Sequence, residues 1–156
     1  MTLTGRELRR LPARELLNPD RLDIAIKWRF FCHLLRGGDF DSERVYRWHI
    51  DARTGGNEKG SWKRRTEDYV MASKALLASM QSYGFLPSHP IPVGADGMQR
   101  DGAHRLACAL ALGLDVYVQA CDLKAPGGWG RDELLSYGIC PTDLKRVEID
   151  WAVLNG

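Results

Sequence analysis

The chain has 156 residues, of which 44% are hydrophobic and 27% charged, proportions typical of a globular domain. A chain of this length can bury a sizeable core without disulfides or a structural metal. Its longest apolar run, residues 106–114, is far shorter than the ~20 residues of a membrane span. Arg6, Arg9 and Arg10 stand where a secretory signal would be apolar. We therefore expect a soluble, cytoplasmic protein with no membrane partner.

The cysteines give no sign of a metal or disulfide framework. Their spacing contains no CxxC pair and no zinc-like grouping with histidine, the four positions being Cys32, Cys108, Cys121 and Cys140. Two of them fall inside helical patterns, where a free cysteine usually acts as a small core residue. We expect structural thiols in a reducing compartment.

The net charge of +2 is unevenly distributed along the chain. Residues 1–65 contain 15 Lys and Arg against 9 Asp and Glu, whereas residues 66–156 contain 7 against 11. The basic excess is concentrated in one stretch, at Arg44, Arg47, Arg53, Lys59, Lys63, Arg64 and Arg65. Most of the basic residues are arginine, whose planar guanidinium suits phosphates and carboxylates. An anionic partner is indicated, and charge alone leaves open whether it is a nucleotide, a sugar phosphate or nucleic acid.

Hydrophobic spacing predicts two helices in the first half of the chain. The first covers residues 19–36, with Asn18 as its N-terminal cap and a glycine pair as its stop. Residues 51–61 are rich in glycine and polar residues and predict a loop. The second helix begins at Thr66, which is expected to cap it, and ends at Gly84.

The second half predicts a small α+β pattern. Two prolines confine the extended segment 90–93 to a sheet edge or a strand entrance, and Asp96-Gly97 is a hairpin-turn signal. The remaining expected elements are a returning strand at 98–100, a helix over 104–112 that ends at Gly113, a strand at 116–118 and one short helix at 132–137.

The stretch Asp101-Gly102-Ala103-His104-Arg105 is the most informative, because an apolar helix follows it at once. Glycine lets the backbone approach a ligand, and unpaired N–H groups at a helix start together with an arginine suit a phosphate. The Asp101 carboxylate would repel a phosphate unless it holds a metal ion, orients a nucleophile or pairs with Arg105. The residues alone leave a purely structural alternative open, in which Asp101 caps the helix and His104 is an ordinary surface histidine.

Over about residues 66–120, the strand, the DG turn, the sequence DGAHRLACALALG and the following Val-Tyr-Val strand resemble the ParB/sulfiredoxin-like fold. Members of this fold share a turn of the form DG-x-HR, GG-x-HR or GERR before a helix whose N-terminus holds nucleotide phosphates. The resemblance implies an α+β core with a small mixed sheet at residues 63–122, an N-terminal helical and basic arm at 1–62 and a C-terminal extension at 123–156, packed as one unit. It assigns nucleotide binding to Gly102, Ala103, His104 and Arg105.

Three activities compete within that fold. Sulfiredoxins use a cysteine where this chain has Ala103, so their chemistry is not expected here. ParB-type partition proteins bind CTP and DNA through a GERR-like motif and a helix-turn-helix domain. Small-molecule kinases such as the free-serine kinases carry a DGHHR motif, from which this chain departs only at Ala103.

The kinase branch implies a specific set of roles. Glu67, at the start of the preceding helix, would be the general base, and Asp101 would bind Mg²⁺ or orient the substrate. The donor would be ATP or ADP. The acceptor, a small hydroxylated metabolite such as a sugar or polyol derivative, would be held by His49, Arg53, Lys63 and Arg64.

We therefore expect a nucleotide-dependent phosphotransferase. The alternative is a non-catalytic ParB-like module that binds a nucleotide or nucleic acid, the latter through the basic stretch 44–65 with its interleaved Tyr46, Trp48 and Trp62. A third alternative is a scaffold that keeps the fold alone. The sequence leaves open the acceptor, the nucleotide base, the oligomeric state and the order of loop 51–61.

Overall fold

The structure is a computed structural model, and it describes residues 7–54, 63, 65–124 and 127–156. These residues form six α-helices, a short 3₁₀ turn and a small mixed sheet, which confirms the predicted α+β class. The elements are β1 (Leu8–Pro12), α1 (Asp23–Arg36), α2 (Phe40–Thr54), α3 (Thr66–Tyr83), β2 (Ile91–Val93), α4 (Ala103–Leu112), β3 (Asp115–Ala120), α5 (Arg131–Ser136) and α6 (Pro141–Asn155).

The sheet has the order β1-β3-β2. The central strand β3 pairs in parallel with β2, where Ile91 lies opposite Val118, and antiparallel with β1, where Leu11 lies opposite Val116. Helix α4 forms the crossover between the two parallel strands. The edge strand β1 was not predicted, because it buries only Leu11 and its LRRLP sequence shows no alternation of apolar and polar residues.

The turn of the predicted hairpin after β2 is confirmed, but the returning strand is shorter than predicted. Asp96 accepts the N–H of Met98 at 2.9 Å, and Gly97 has the positive φ of 79° that the turn requires. The expected strand at 98–100 forms a single antiparallel bridge between Val93 and Gln99. The pairing ends there because the chain turns immediately into the start of α4.

Helix α1 begins later than its sequence predicts. Asn18 accepts the N–H of Asp20 in a local turn at 2.9 Å, and the helix starts only at Asp23. The backbone before the helix is paired with Trp129, far along the chain. The N–H of Trp129 donates to the carbonyl of Asp20 at 2.8 Å, and the carbonyl of Trp129 accepts the N–H of Leu22 at 3.0 Å. The glycine stop after Arg36 is confirmed.

Helix α3 covers the predicted range and ends at Gly84 as expected, but its cap differs. Arg65 occupies the N-cap position, and the Asp68 carboxylate accepts its backbone N–H at 3.0 Å. The Thr66 hydroxyl, which was expected to cap the helix, instead donates to the Asp51 carboxylate on α2. The helix therefore keeps a local cap at Arg65 and Asp68, while Thr66 bonds a partner on another helix.

The sequence patterns did not predict two of the helices, α2 and α6. Helix α2 covers much of the basic stretch and takes in residues 51–54 of the predicted loop, while residues 55–62 lie outside the described chain. Helix α6 follows the short α5 that the sequence predicts at 132–137. Both missed helices bury polar side chains along with apolar ones, His49 in α2 and Asp150 in α6 among them, which weakens the hydrophobic periodicity.

Helix α1 lies between two apolar clusters. One of its faces contributes Ile24 and Phe31 to a cluster with α4 and the sheet, and the other contributes Ile26 and Phe30 to a cluster with α2, α5 and α6. The helix that was expected in an N-terminal arm is therefore shared by both halves of the core. In the described part of the chain, every helix is too short or too polar to cross a membrane.

Candidate functional site

The start of α4 is a glycine turn with a close side-chain neighbour. Gly102 has a φ of +82°, and a Cβ at this position would lie 2.8 Å from Nη2 of Arg105. The Asp101 carboxylate accepts the backbone N–H of Gly102 at 2.7 Å. The backbone conformation therefore favours glycine here, and any other residue would also displace the Arg105 guanidinium from its place over the turn.

Arg105 also connects this turn to the chain before β2. Its Nη1 donates to the carbonyl oxygen of His89 and lies 3.4 Å from that of Pro90. The guanidinium is thus anchored on backbone carbonyls, and among the described residues it forms no ion pair, although the charge of Asp101 acts on it. Its position at the N-terminus of α4 adds a fixed cation to the positive end of the helix dipole.

A cleft of about 430 Å³ opens at this helix start, and we call it the polar cleft. Its lining comes from five separate parts of the chain, namely Arg21 and Asp23, Arg53, Lys63, Arg100 to Arg105, and Gly127 and Trp129. It brings the predicted nucleotide-binding residues together with Asp101 and with two of the predicted acceptor residues, Arg53 and Lys63.

Positive charge exceeds negative charge in the polar cleft. Among the described residues, five cationic side chains and the carboxylates of Asp23 and Asp101 line it. One of the cations, Arg100, is paired with Asp96 outside the lining. Asp23 is already bound by Arg21 at 2.9 Å and by Lys27 at 2.6 Å. Among the described residues, no carboxylate lies within ion-pair distance of Arg53, and its buried Nε has no hydrogen-bond partner. The polar cleft is therefore electrostatically suited to an anion.

Two of these cations share one aromatic neighbour. The Arg53 guanidinium lies 5.6 Å from the ring centre of Tyr69, and Nζ of Lys63 lies 4.7 Å from it. Cation–π contacts of this kind orient a charged group without neutralising it. They hold the Arg53 charge at the polar cleft.

His104 lines the polar cleft and takes part in a chain of hydrogen bonds. Its Nε2 lies 2.8 Å from the hydroxyl of Tyr46, which lies 3.1 Å from the hydroxyl of Ser73, so the chain joins α4 to α2 and α3. Burial lowers the pKa of His104 well below its ordinary value, and the charges of Lys27 and Arg53 lower it further. The imidazole is therefore neutral at pH 7.

Arg21 and Asp23, which line the polar cleft, belong to a buried ionic cluster with Lys27 and His49. Burial lowers the pKa of Lys27 to about 8, although Asp23 opposes the shift. Burial acts to raise the pKa of Asp23, but Lys27 and Arg21 outweigh it and hold that pKa well below its usual range. Nε2 of His49 lies 3.3 Å from Nζ of Lys27.

His49 was expected on the acceptor side, and it is fully buried outside the lining of the polar cleft. Its ring meets Trp129, a cleft residue, edge-on at 4.8 Å. Burial lowers the pKa of His49 well below its ordinary value, with Lys27 as the next cause. His49 therefore contacts the cleft wall from behind.

Glu67, the predicted general base, is exposed and lies outside the lining of the polar cleft. Its carboxylate accepts a hydrogen bond from Arg47, and this bond together with the Arg47 charge lowers the pKa of Glu67. Arg64, the remaining predicted acceptor residue, lies outside the described residues.

Several residues that line the polar cleft were not predicted from the sequence as site residues. Arg21 and Asp23 resemble an ordinary helix start, and Trp129 is separated from them by more than a hundred residues. Arg100 was expected in a strand, and it is held by Asp96 at 3.0 Å and by the carbonyl of Leu123 at 3.0 Å. The one available signal was the position of Arg100 directly before the DGAHR motif.

One carboxylate at the start of α4 is available for a magnesium ion that would arrive with a nucleotide. In the described ranges, no group of three or more His, Cys, Asp or Glu is placed to hold a metal ion. Mg²⁺ bound to a nucleotide needs only one or two protein carboxylates besides the phosphates. Asp101 supplies one at the helix start.

Comparisons with protein-family models, with curated proteins and with solved structures find no match to this chain. The class of protein is therefore defined by its own geometry. It is an α+β protein with a cationic cleft at the N-terminus of a ten-residue helix.

Proposed function

We propose that the protein is a nucleotide-dependent phosphotransferase of the ParB/sulfiredoxin-like fold. It binds the phosphates of ATP or ADP in the polar cleft and transfers a phosphoryl group to a small hydroxylated metabolite, such as a sugar or polyol derivative. The observation that carries the proposal is the convergence of Arg53 and Lys63 on the turn from Asp101 to Arg105. From the sequence, the turn is assigned to the nucleotide, and Arg53 and Lys63 are assigned to the acceptor, each on separate grounds.

The phosphates have a natural position at the start of α4. The first-turn N–H groups of a helix have no partners within it, and the positive end of the helix dipole favours an anion. At the Gly102 N-cap no side chain of the described residues bonds these groups. Arg105 adds a cation beside them, and Arg53 faces the same cleft from α2.

Phosphoryl transfer to a hydroxyl demands little covalent chemistry from the protein. The acceptor oxygen forms a bond to the terminal phosphorus, the bond from phosphorus to the bridging oxygen breaks, the shortened nucleotide leaves and the hydroxyl proton passes to solvent. Catalysis then consists mainly of positioning and of neutralising charge. The cations of the polar cleft meet both needs.

Two carboxylates are candidates for a role in the reaction. Asp101 would hold the Mg²⁺ of the nucleotide, which neutralises phosphate charge when it is bound. Glu67, the base that the resemblance implies, pairs with Arg47 outside the cleft lining, and its lowered pKa weakens it as a proton acceptor. We therefore expect turnover to depend on Asp101 more than on Glu67.

A matched pair of isosteric variants tests these roles. We expect Asp101→Asn to lower turnover about 100-fold or more and Glu67→Gln to lower it no more than about threefold, because a preorganised charged group at the reacting phosphate contributes about 2.7–4 kcal/mol. The measurement is phosphate transfer from ATP or ADP with Mg²⁺ to a panel of sugars and polyols.

A normal rate for Asp101→Asn would contradict this assignment. Loss of turnover in Glu67→Gln with nucleotide binding intact would instead establish Glu67 as the base. Stabilisation by nucleotide without transfer to any acceptor would favour the non-catalytic binding module.

The nucleic-acid alternative has less support from the geometry. Tyr46, one of the aromatic residues expected to interleave the basic stretch, is fully buried. Arg44 pairs with Asp143 at 2.7 Å, and Arg47 pairs with Glu67. Much of the charge in this stretch is therefore neutralised within the protein.

A further inference from the structure

A second and larger cavity, of about 640 Å³, is also lined by Asp101 and Arg105. Its walls come from the second half of α3, the loop before β2 and the end of β3. We call it the apolar cavity, because its lining includes Leu76, Met80, Phe85, Pro90 and Pro92. Neither the motif nor the proposed transfer reaction accounts for it.

The apolar cavity and the polar cleft are neighbours with a shared boundary. Asp101 and Arg105 line both of them. The Arg105 guanidinium is anchored to the backbone carbonyls of His89 and Pro90, so this boundary has a fixed position. A ligand with phosphates at the start of α4 therefore reaches the apolar cavity by extending past Arg105.

The lining has the chemistry of a site for a small aromatic heterocycle. Apolar and proline side chains form most of it, and a few polar groups line it as well, such as the Ser79 hydroxyl and the His89 imidazole, whose Nδ1 lies 3.0 Å from the Ser88 hydroxyl. Pockets of a few hundred Å³ with this mixture are typical of small-molecule and cofactor sites. An apolar wall with few polar groups suits a flat ring with polar edges.

We propose that the apolar cavity binds the base of the nucleotide whose phosphates occupy the polar cleft. The proposal rests on the proposed function and adds a location for the base to it. A single nucleotide then extends past both sides of Arg105, with its phosphates between Arg105 and Arg53, and the acceptor is left with the Lys63 side of the polar cleft.

The test separates the base from the phosphates. Isothermal titration calorimetry with Mg²⁺ compares pyrophosphate with ADP, GDP, CDP and UDP. We expect the best nucleoside diphosphate to bind at least tenfold more tightly than pyrophosphate, because only the nucleotide places a ring in the apolar cavity.

A pair of serine variants on α3 locates the effect. Ser79 is exposed and lines the apolar cavity, whereas Ser82 is exposed on the same helix and does not line it. Ser79→Trp fills the cavity and should reduce nucleoside diphosphate affinity to that of pyrophosphate, with pyrophosphate binding unchanged. Ser82→Trp should change neither, and it controls for the cost of an exposed tryptophan in the helix.

The other outcomes would overturn the base site, and one of them would overturn the proposed function as well. Equal affinity for pyrophosphate and every nucleoside diphosphate, or a nucleotide preference that survives in Ser79→Trp, would overturn the base site and leave the phosphate site standing. Tighter binding of an alkyl phosphate than of every nucleoside diphosphate would overturn it in favour of an aliphatic ligand. Failure of pyrophosphate and all four nucleotides to bind would overturn both the base site and the proposed function.

Discussion

Two arginine-rich regions of the molecule differ in how their charge is balanced. In the first, which we call the ion-pair network, three arginines of α1, α2 and α6 pair with four aspartates at 2.7–3.1 Å, through the contacts of Arg29 with Asp39 and Asp150, Arg44 with Asp41 and Asp143, and Arg146 with Asp39 and Asp41. The cavity beside it is only about 20 Å³. Carboxylates outnumber cations there, and little space remains for a ligand.

The polar cleft has the opposite arrangement. Among the described residues, five cations and two carboxylates surround about 430 Å³, with Asp23 paired to Arg21 and Arg100 paired to Asp96. Arg44 and Arg53 belong to the same helix and the same basic stretch of sequence, but only Arg44 has a carboxylate partner among the described residues. The difference shows that a run of basic residues does not define a basic surface, because each charge depends on its partners in space.

The largest expected effect on stability comes from removing the Asp23 carboxylate, which pairs with Arg21 and Lys27 at the polar cleft. Asp23→Asn leaves Lys27 and Arg21 buried without their carboxylate, which should lower the free energy of unfolding by about 3–5 kcal/mol. Asp41→Asn in the ion-pair network removes an exposed carboxylate and should cost at most about 1 kcal/mol. Urea denaturation of both variants measures the comparison, and equal losses would contradict the distinction between the two regions.

The glycine turn at α4 gives the next effect. Gly102→Ala forces a non-glycine residue to a φ of +82° and displaces the Arg105 guanidinium. The conformation alone should cost about 1–2 kcal/mol. Gly113→Ala is the control, because Gly113 has a φ of +68° and, among the described residues, no atom would lie within 4 Å of its added Cβ.

Both glycine variants should therefore lose similar stability in urea denaturation, and only Gly102→Ala should also lose affinity for pyrophosphate. If Gly113→Ala weakened pyrophosphate binding as much, the position of Arg105 would not be the cause.

A smaller effect concerns pH, because the buried His49 and the half-buried His104 both have folded-state pKa values well below 6.5. As the pH falls from 7.5 to 5.5, the unfolded chain takes up protons that the folded protein does not, so stability falls with pH in this window. Each histidine should contribute a loss of about 1.4 kcal/mol in the free energy of unfolding.

Urea denaturation at the two pH values measures this loss. His49→Gln should remove about one histidine's share of the pH dependence, while His89→Gln, at an exposed position, should leave it intact. An unchanged pH dependence in His49→Gln would show that the buried histidine takes up its proton in the folded state as well.

The parts of the fold that were predictable depend on residues close together in sequence. Helix α4 with its stop at Gly113, the end of α3 at Gly84 and the Asp96-Gly97 turn all follow from local signals, and all are present. The start of α1 was misplaced because its limit is set by backbone pairing with Trp129, far along the chain. The edge strand β1 was missed for the same reason, since only its pairing with β3 defines it.

The candidate site was predictable in its residue types and less so in its partners. The DGAHR motif, Arg53 and Lys63 lie together in the polar cleft as their charge and order suggested. The partner of Glu67 was not predictable, because Arg47 reaches it from another helix. His49 looked like a ligand residue by its basic neighbours in sequence, but tertiary packing buries it against Lys27.

The most direct test of the account is the affinity for pyrophosphate with Mg²⁺, measured by calorimetry on Arg53→Gln and Arg44→Gln. We predict that Arg53→Gln weakens binding about 10- to 100-fold, in line with the 1.5–3 kcal/mol of a hydrogen bond to a charged group, and that Arg44→Gln binds like the wild type. Equal affinities in the two variants, or no binding by the wild-type protein, would contradict the assignment of the polar cleft as the anion site.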